Sequence, residues 1–355
     1  MPSMSHSAFV TRSITERTAA TKTKAGWWED VVNESEQAGI NLNKFRVISA
    51  SPMGGPYGTT SPLSVNPLTG QQYRSSFPII TPLDQARVHA MLLDHLGIAK
   101  VHAIVGASMG GMQVLQFAVH YPARYDRVIA ICTTGQTMPS TQALRSVQRA
   151  AVRMDPHFHD GNYADDATGQ SGGPIAGMGI ARMFGTICYR SRAEFDARFS
   201  NRMLTHQQRE QPSASTPSSS SSSSASSSSP SPSPLFEVEK YLFHQASTFT
   251  GRYDANCYLT LSQCMDLMDL ATPTPQQSGT NQSRLTYEQA CQSIPASKQF
   301  LLLPIASDAL IPAEEMERLG RYSWKKTSER CLPTTGYSSL FVLILILHRS
   351  FLSYV

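Results

Sequence analysis

One serine stands among small residues in the string Gly106-Ala107-Ser108-Met109-Gly110, and that spacing carries chemistry. The pattern G-x-S-x-G suits a sharp strand-to-helix turn with the serine at a strained apex, because glycine lets neighbouring backbone pass close by. At such an apex the hydroxyl is a nucleophile for acyl transfer. The backbone N–H of Met109, at the positive end of the following helix, is then an oxyanion donor. A glycine-rich turn that only eases packing would show the same five residues, so the flanking elements decide between the two readings. A serine hydroxyl needs a histidine to remove its proton and an acid to orient that histidine. On this kind of turn the acid follows the serine in the chain, and the histidine follows the acid. Asp308, just past an apolar run, meets the requirement for the acid, with a helix N-cap as its competing role. His348 is the one histidine after Asp308. It directly follows the apolar residues 340–347, which read either as a last buried strand ending in the base or as an unrelated tail, the tail being the stronger reading.

The elements that must hold these residues follow from periodicity. Residues 45–50 are a β-rich run entering a Pro/Gly/Ser/Thr segment, 51–64, and read as a strand leading into a structured loop. Residues 82–96 place Ala86, Val88, Met91, Leu92 and Leu96 at helical spacing, with Gly97 as the stop. A strand over 101–105, a tight turn over 106–111, a helix over 112–120 closed by Pro122 and a strand over 127–132 come next. This alternation predicts an α/β fold, a doubly wound and mostly parallel sheet with helices on both faces. From 136 to 272 the alternation stops, and helix formers with Met and Arg mark a helical insertion, a lid over the sheet. Within it residues 212–234 are nearly all Ser and Pro, a composition that cannot offset its ordering entropy and is expected to stay disordered. The core resumes with a strand at 299–305 and a helix at 312–320. The expected division is therefore 1–135 for the first part of the core, 136–272 for the lid, 273–322 for the second part and 323–355 for an atypical tail.

Composition narrows the function classes. The chain has 355 residues, 41% of them hydrophobic, enough for one large core. A net charge of +4 without a Lys/Arg run gives no basis for a nucleic-acid partner. No apolar run approaches the roughly 18 residues of a membrane span. Six cysteines without a C-x-x-C pair suit free thiols in a reducing compartment. No metal site is expected, since His157 and His159 lie near Asp160 without a fourth ligand. The first thirty residues, with Arg12, Arg17, Lys22 and Lys24, read as a polar surface loop or as a mitochondrial transit peptide. The expected compartment is cytoplasmic, with a mitochondrial alternative.

Several separated motifs in the same order resemble the homoserine O-acetyltransferase family of the α/β-hydrolase fold, and most of all its fungal serine O-acetyltransferase branch. They are Gly26-Trp27-Trp28-Glu29; the loop from Met53-Gly54-Gly55-Pro56-Tyr57-Gly58-Thr59-Thr60-Ser61-Pro62 to Asn66-Pro67 and Gly70; and the elbow with Gly111-Met112-Gln113. Gly179-Ile180-Ala181-Arg182, Tyr189-Arg190-Ser191, Phe236-Glu237-Val238-Glu239 and Arg252-Tyr253-Asp254-Ala255-Asn256-Cys257-Tyr258 are similar as well, as is the stretch 304–312 around Asp308. The resemblance implies a double displacement in which Ser108 takes the acetyl group of acetyl-CoA and passes it to the hydroxyl of L-serine or L-homoserine, in cysteine or methionine biosynthesis. Acetyl-CoA would be a co-substrate, with no permanently bound cofactor, and the family allows a homodimer. Arg182 would hold the substrate carboxylate, Tyr189 and Tyr57 would line the pocket, and Asp254 would face the amino group. Pro56-Tyr57 and Ser61-Pro62 follow the serine branch. The opening residues 1–10 are similar to the family's oxyanion loop, which makes the backbone of Met4 the second donor, but the strand that precedes that loop is missing. The family's Gly-His-Asp segment is missing too, and beyond about Arg321 the likeness ends. The chain thus reads as truncated at both ends and impaired for lack of its base. A hydrolytic esterase and an inactive relative or misassembled gene product are the competing readings.

Overall fold

Continuous apolar runs, as opposed to alternating ones, identify strands buried on both faces, and the sheet is built from such runs. The computed structural model describes Met4 and residues 28–163, 172–205, 235–271, 285–323 and 328–329. A short parallel pair, β1 (Val32–Asn33) and β2 (Ile40–Asn41), precedes the main sheet. That sheet is parallel throughout, in the order β3 (Val101–Ala107), β4 (Tyr125–Ile131), β5 (Gln299–Leu303), β6 (Ser328–Glu329). Helix α1 (Pro82–His95) starts on a capping box between Thr81 and Asp84, with Pro82 at its first position. It stops at Gly97, whose φ of +66° is left-handed. Helix α2 (Met109–His120) joins β3 to β4.

The strand 101–105 extends two residues beyond expectation and the helix begins three residues early, so the expected six-residue turn shrinks to Ser108 alone. Close packing explains the early start: a Cβ on Gly111 would meet the Thr133 Cβ at 2.6 Å, so the glycine lets α2 lie directly against the chain leaving β4.

Residues 45–50 correct the strand expected there. They form no ladder with any described strand, because β propensity needs a neighbour to exchange N–H and C=O bonds before it becomes a strand. They line one side of an apolar cavity of about 480 Å³ whose other side is β3.

Between β4 and β5 the described residues hold helices and no strand: α3 (Pro139–Arg153), α4 (Ile175–Cys188), α5 (Arg192–Phe199), α6 (Glu237–Thr250), α7 (Ala255–Asp266) and α8 (Tyr287–Gln292). Helix α4 packs against α3 and α6. Asp266 ties α7 to α3 through Arg145 Nε at 2.6 Å and Arg149 Nη2 at 2.6 Å. Helix α9 (Ala313–Ser323) follows β5. The five described cysteines are buried and free of disulfides. Among the described residues no helix is long and apolar enough to cross a membrane. The tract 212–234, the run 340–347 and His348 lie outside the described residues.

Candidate active site

Ser108 makes the whole turn between β3 and α2, at φ 53° and ψ −123°. A non-glycine residue there carries roughly 1–3 kcal/mol of strain and persists only where the surroundings over-determine it. They do so here. Its N–H donates to the Ile131 carbonyl at 2.9 Å, and its carbonyl accepts from the Met112 N–H at 3.1 Å and from Thr133 Oγ1 at 2.8 Å. A Cβ on Gly106 would stand 2.2 Å from the Gly110 carbonyl oxygen, so only glycine fits one turn before the helix. The Met109 side chain is fully buried, and its N–H belongs to the first helical turn, which has no intrahelical acceptor.

The ladder brings the ends of three strands level. Ala107 is in register with Ile131, and Ile131 with Leu303. The Cys132 N–H donates to the Leu303 carbonyl at 2.9 Å. Ser108 and the loop holding Asp308 therefore leave the same carboxyl edge of the sheet, two strand spacings (about 10 Å) apart at the strand ends. Asp308 is 5% exposed. Its Oδ1 accepts the N–H groups of Leu310 at 2.8 Å and Ile311 at 3.0 Å, so it folds its own loop and does not cap α9. Burial pushes its carboxyl up to about 6, against the pull of those two bonds. No described histidine hydrogen-bonds Ser108 or Asp308. His89 pairs with Gln113 at 3.0 Å, and burial lowers both it and His120 to about 4.

Met4 packs into the same apolar cluster as Met109, Tyr57 and Tyr253. Its carbonyl accepts from the Tyr253 hydroxyl at 2.8 Å. The loop carrying Tyr57 is structured as expected. The Gln85 side chain clamps both backbone groups of Met53, at 2.9 and 2.7 Å, and Gly54 takes a φ of +87°. Tyr57 is half-buried, its ring edge-on to Tyr253 with centroids 6.0 Å apart.

Arg182 lies in α4 with its guanidinium 5.1 Å from the Phe249 ring and 5.7 Å from the Tyr189 ring. Its Nε is buried without a hydrogen-bond partner, and it forms no ion pair among the described residues. A cation seated between aromatic faces and lacking an acid is suited to an incoming anion. The Ala309 N–H donates to the Cys188 carbonyl at 3.0 Å, which pins the end of this helix to the loop of Asp308. Asp254 is engaged on both oxygens: Oδ1 caps α7 through the Cys257 N–H at 2.9 Å, and Oδ2 accepts the Tyr163 hydroxyl at 2.6 Å.

Met109, Met4, Tyr57 and Phe249, on whose ring Arg182 rests, thus share one apolar cluster, and Asp254 caps α7. Sequence reasoning missed Thr133, Gln85, Phe249 and Tyr253 as supports. Tyr253 falls in a segment already singled out by resemblance, but no local pattern reveals an acceptor 249 positions away.

A family model described as the alpha/beta hydrolase fold matches residues 20–333. A homoserine O-acetyltransferase of Moorella thermoacetica is 33% identical over 296 residues, 83% of this chain and 69% of that protein. The chain belongs to the homoserine O-acyltransferase family of the α/β-hydrolase fold. Another relative of this acyltransferase family, a serine O-succinyltransferase of Litchfieldella anticariensis, is 38% identical over 246 residues, 69% of this chain and 60% of that protein. The X-ray structure of a homoserine O-acetyltransferase from Bacillus anthracis has the same fold, with a TM-score of 0.74 at 22% identity, covering 98% of this chain and 86% of that one. The chain spans 69% and 60% of the two curated relatives' lengths.

Proposed function

We infer that this chain transfers an acetyl group from acetyl-CoA to the hydroxyl of L-serine, or of L-homoserine, through an acetyl-Ser108 ester. The observation that carries the reading is the strained Ser108 at the carboxyl edge of the sheet, and Arg182, a guanidinium with no acid partner among the described residues, supports it. Ser108 Oγ attacks the thioester carbonyl, the base takes its proton, and the C–S bond breaks to release the CoA thiol with that proton. The amino-acid hydroxyl then attacks the ester and returns Ser108 to its starting state. The N–H groups of Met109 and Met4 stabilise both tetrahedral oxyanions. Asp308 orients the base, for which His348 is this chain's candidate; without a base there the chain is impaired, with turnover slower by several orders of magnitude. Arg182 grips the substrate carboxylate and Tyr189 borders it.

Serine is the preferred acceptor in this reading. Tyr57, edge-on to Tyr253, narrows the pocket, and one methylene is worth about 1–3 kcal/mol of discrimination. The name of the Litchfieldella relative points the same way. Exposed Ile180 and Ile187, seven residues apart on α4, together with Phe243 on α6, support a homodimer through these helices.

The test is thiol release from acetyl-CoA or succinyl-CoA, measured with L-serine, with L-homoserine and without acceptor. Release that depends on acetyl-CoA and is fastest with serine is expected. Release indifferent to the amino acid would make the chain a hydrolase, and none at all an inactive relative. Faster turnover with homoserine or succinyl-CoA would reverse the corresponding choice.

A further inference from the structure

We propose that Tyr253 is a positioning residue that aims Met4 for its part in the oxyanion hole. This rests on the reading of Ser108 as nucleophile and Met4 as second donor, and it adds a residue that neither the elbow nor the family motifs assign.

Three observations converge on it. First, the Tyr253 hydroxyl donates to the Met4 carbonyl at 2.8 Å, a direct bond from the helical segment to the opening residues. Holding that oxygen anchors the backbone of Met4 at its carbonyl end, which narrows the range through which its N–H can swing. An oxyanion donor works only if it points at the place where charge develops. Second, the phenol is itself locked. Tyr253 is 5% exposed, its ring is stacked on Phe249 with centroids 4.9 Å apart and planes 16° apart, and Tyr57 meets it edge-on at 6.0 Å. Next to it, Asp254 caps α7 and binds the Tyr163 hydroxyl, which in turn accepts the Asn256 N–H at 3.0 Å, so the backbone around Tyr253 is fixed as well. Third, the hydroxyl stays a donor. Burial raises its pKa well above the ordinary value, so it remains protonated across the working range. A hydroxyl fixed by stacking, aimed at one carbonyl and unable to ionise is a stable strut.

The experiment compares the parent chain with Tyr253→Phe, which removes one oxygen and keeps the stacked ring. The probe is a fluorophosphonate. Ser108 Oγ forms the new P–O bond, fluoride leaves with the electron pair of the P–F bond, and the serine proton passes to the base. The maximal labelling rate and the half-saturating probe concentration are read separately, along with the melting temperature. Expected is a maximal rate lower by about ten- to a hundredfold, with half-saturation, melting temperature and the pH midpoint of labelling unchanged. An unchanged rate would overturn the role of Tyr253 and leave the nucleophile standing. A rate that falls together with the melting temperature, or a variant that does not fold, would make the residue a scaffold element and overturn the proposal. A parent chain that takes no label at Ser108 would remove the nucleophile, and this proposal with it.

Discussion

The carboxyl edge of the sheet and the helical segment across from it hold their functional groups in different ways. At the sheet edge main-chain groups do most of the holding. Ser108 is fixed by the Ile131 carbonyl, the Met112 N–H and Thr133, and the loop of Asp308 by main-chain bonds to its own carboxylate. In the helical segment side chains do it. Arg182 rests between the rings of Phe249 and Tyr189, and Tyr253 lies on Phe249. A backbone framework places its groups with little dependence on side-chain identity beyond the glycines that let it close. A side-chain stack can be retuned one residue at a time, and for that reason recognition can change while the chemistry stays.

Three substitutions would break or sharpen this contrast. The largest effect is expected for Ser108→Ala. In the proposed reaction it removes the atom that carries the acyl group, so ester formation should fall by about 10⁶-fold with stability changed by less than about 1 kcal/mol. Mass spectrometry after acetyl-CoA treatment, with a parallel melt, checks both halves.

Asp308→Asn comes second, with an expected loss of roughly 10³–10⁴-fold in acylation rate, because a neutral amide does not stabilise a charged base. In the parent the carboxyl titrates near 6, so acylation should rise as pH passes up through 6. Stability moves the other way. The folded pKa lies above the unfolded value of about 3.9, so the folded state binds more protons between those limits, and the parent loses stability as pH rises from about 4 to 6. The asparagine keeps the two N–H bonds without that penalty, so its denaturation midpoint should exceed the parent's at pH 7 and match it near pH 4. A parent whose midpoint rises over that window would show that a cation compensates the buried carboxylate.

The smallest effect is expected for Arg182→Gln, on the side-chain half of the comparison. The amino-acid KM should rise about a hundredfold while acetylation of Ser108 proceeds at the parent rate, since the first half-reaction does not use the anchor. An equal fall in both half-reactions would mean that the two regions are not separable.

Most of the framework is legible in the linear chain. The helical spacing over 82–96, the apolar run of β5 and the G-x-S-x-G elbow are local patterns, and each appears where the pattern puts it, within three residues. Residues 45–50 show where that legibility stops. Their side chains suit a strand, but a strand exists only as a pair, and pairing is not a property of one segment. Asp254 shows the same limit for function. Its residue type fits an amine or a helix cap equally well, and only the approach of Tyr163, 91 positions earlier, commits both oxygens to structure.

By itself the sequence determined where the strand-to-helix turn at Ser108 falls. A Cβ on Gly106 would strike the Gly110 carbonyl a few residues on, and that steric rule acts between near neighbours, so the glycine is legible without a fold, whereas the fit of Gly111 against Thr133 belongs to the fold. The tertiary structure alone decided what surrounds it. The stack of Tyr253 on Phe249, the guanidinium above it and the hold on Met4 are contacts between segments far apart in the chain. Side-chain packing is non-directional until the backbone has closed, so nothing in the order of the residues announces it.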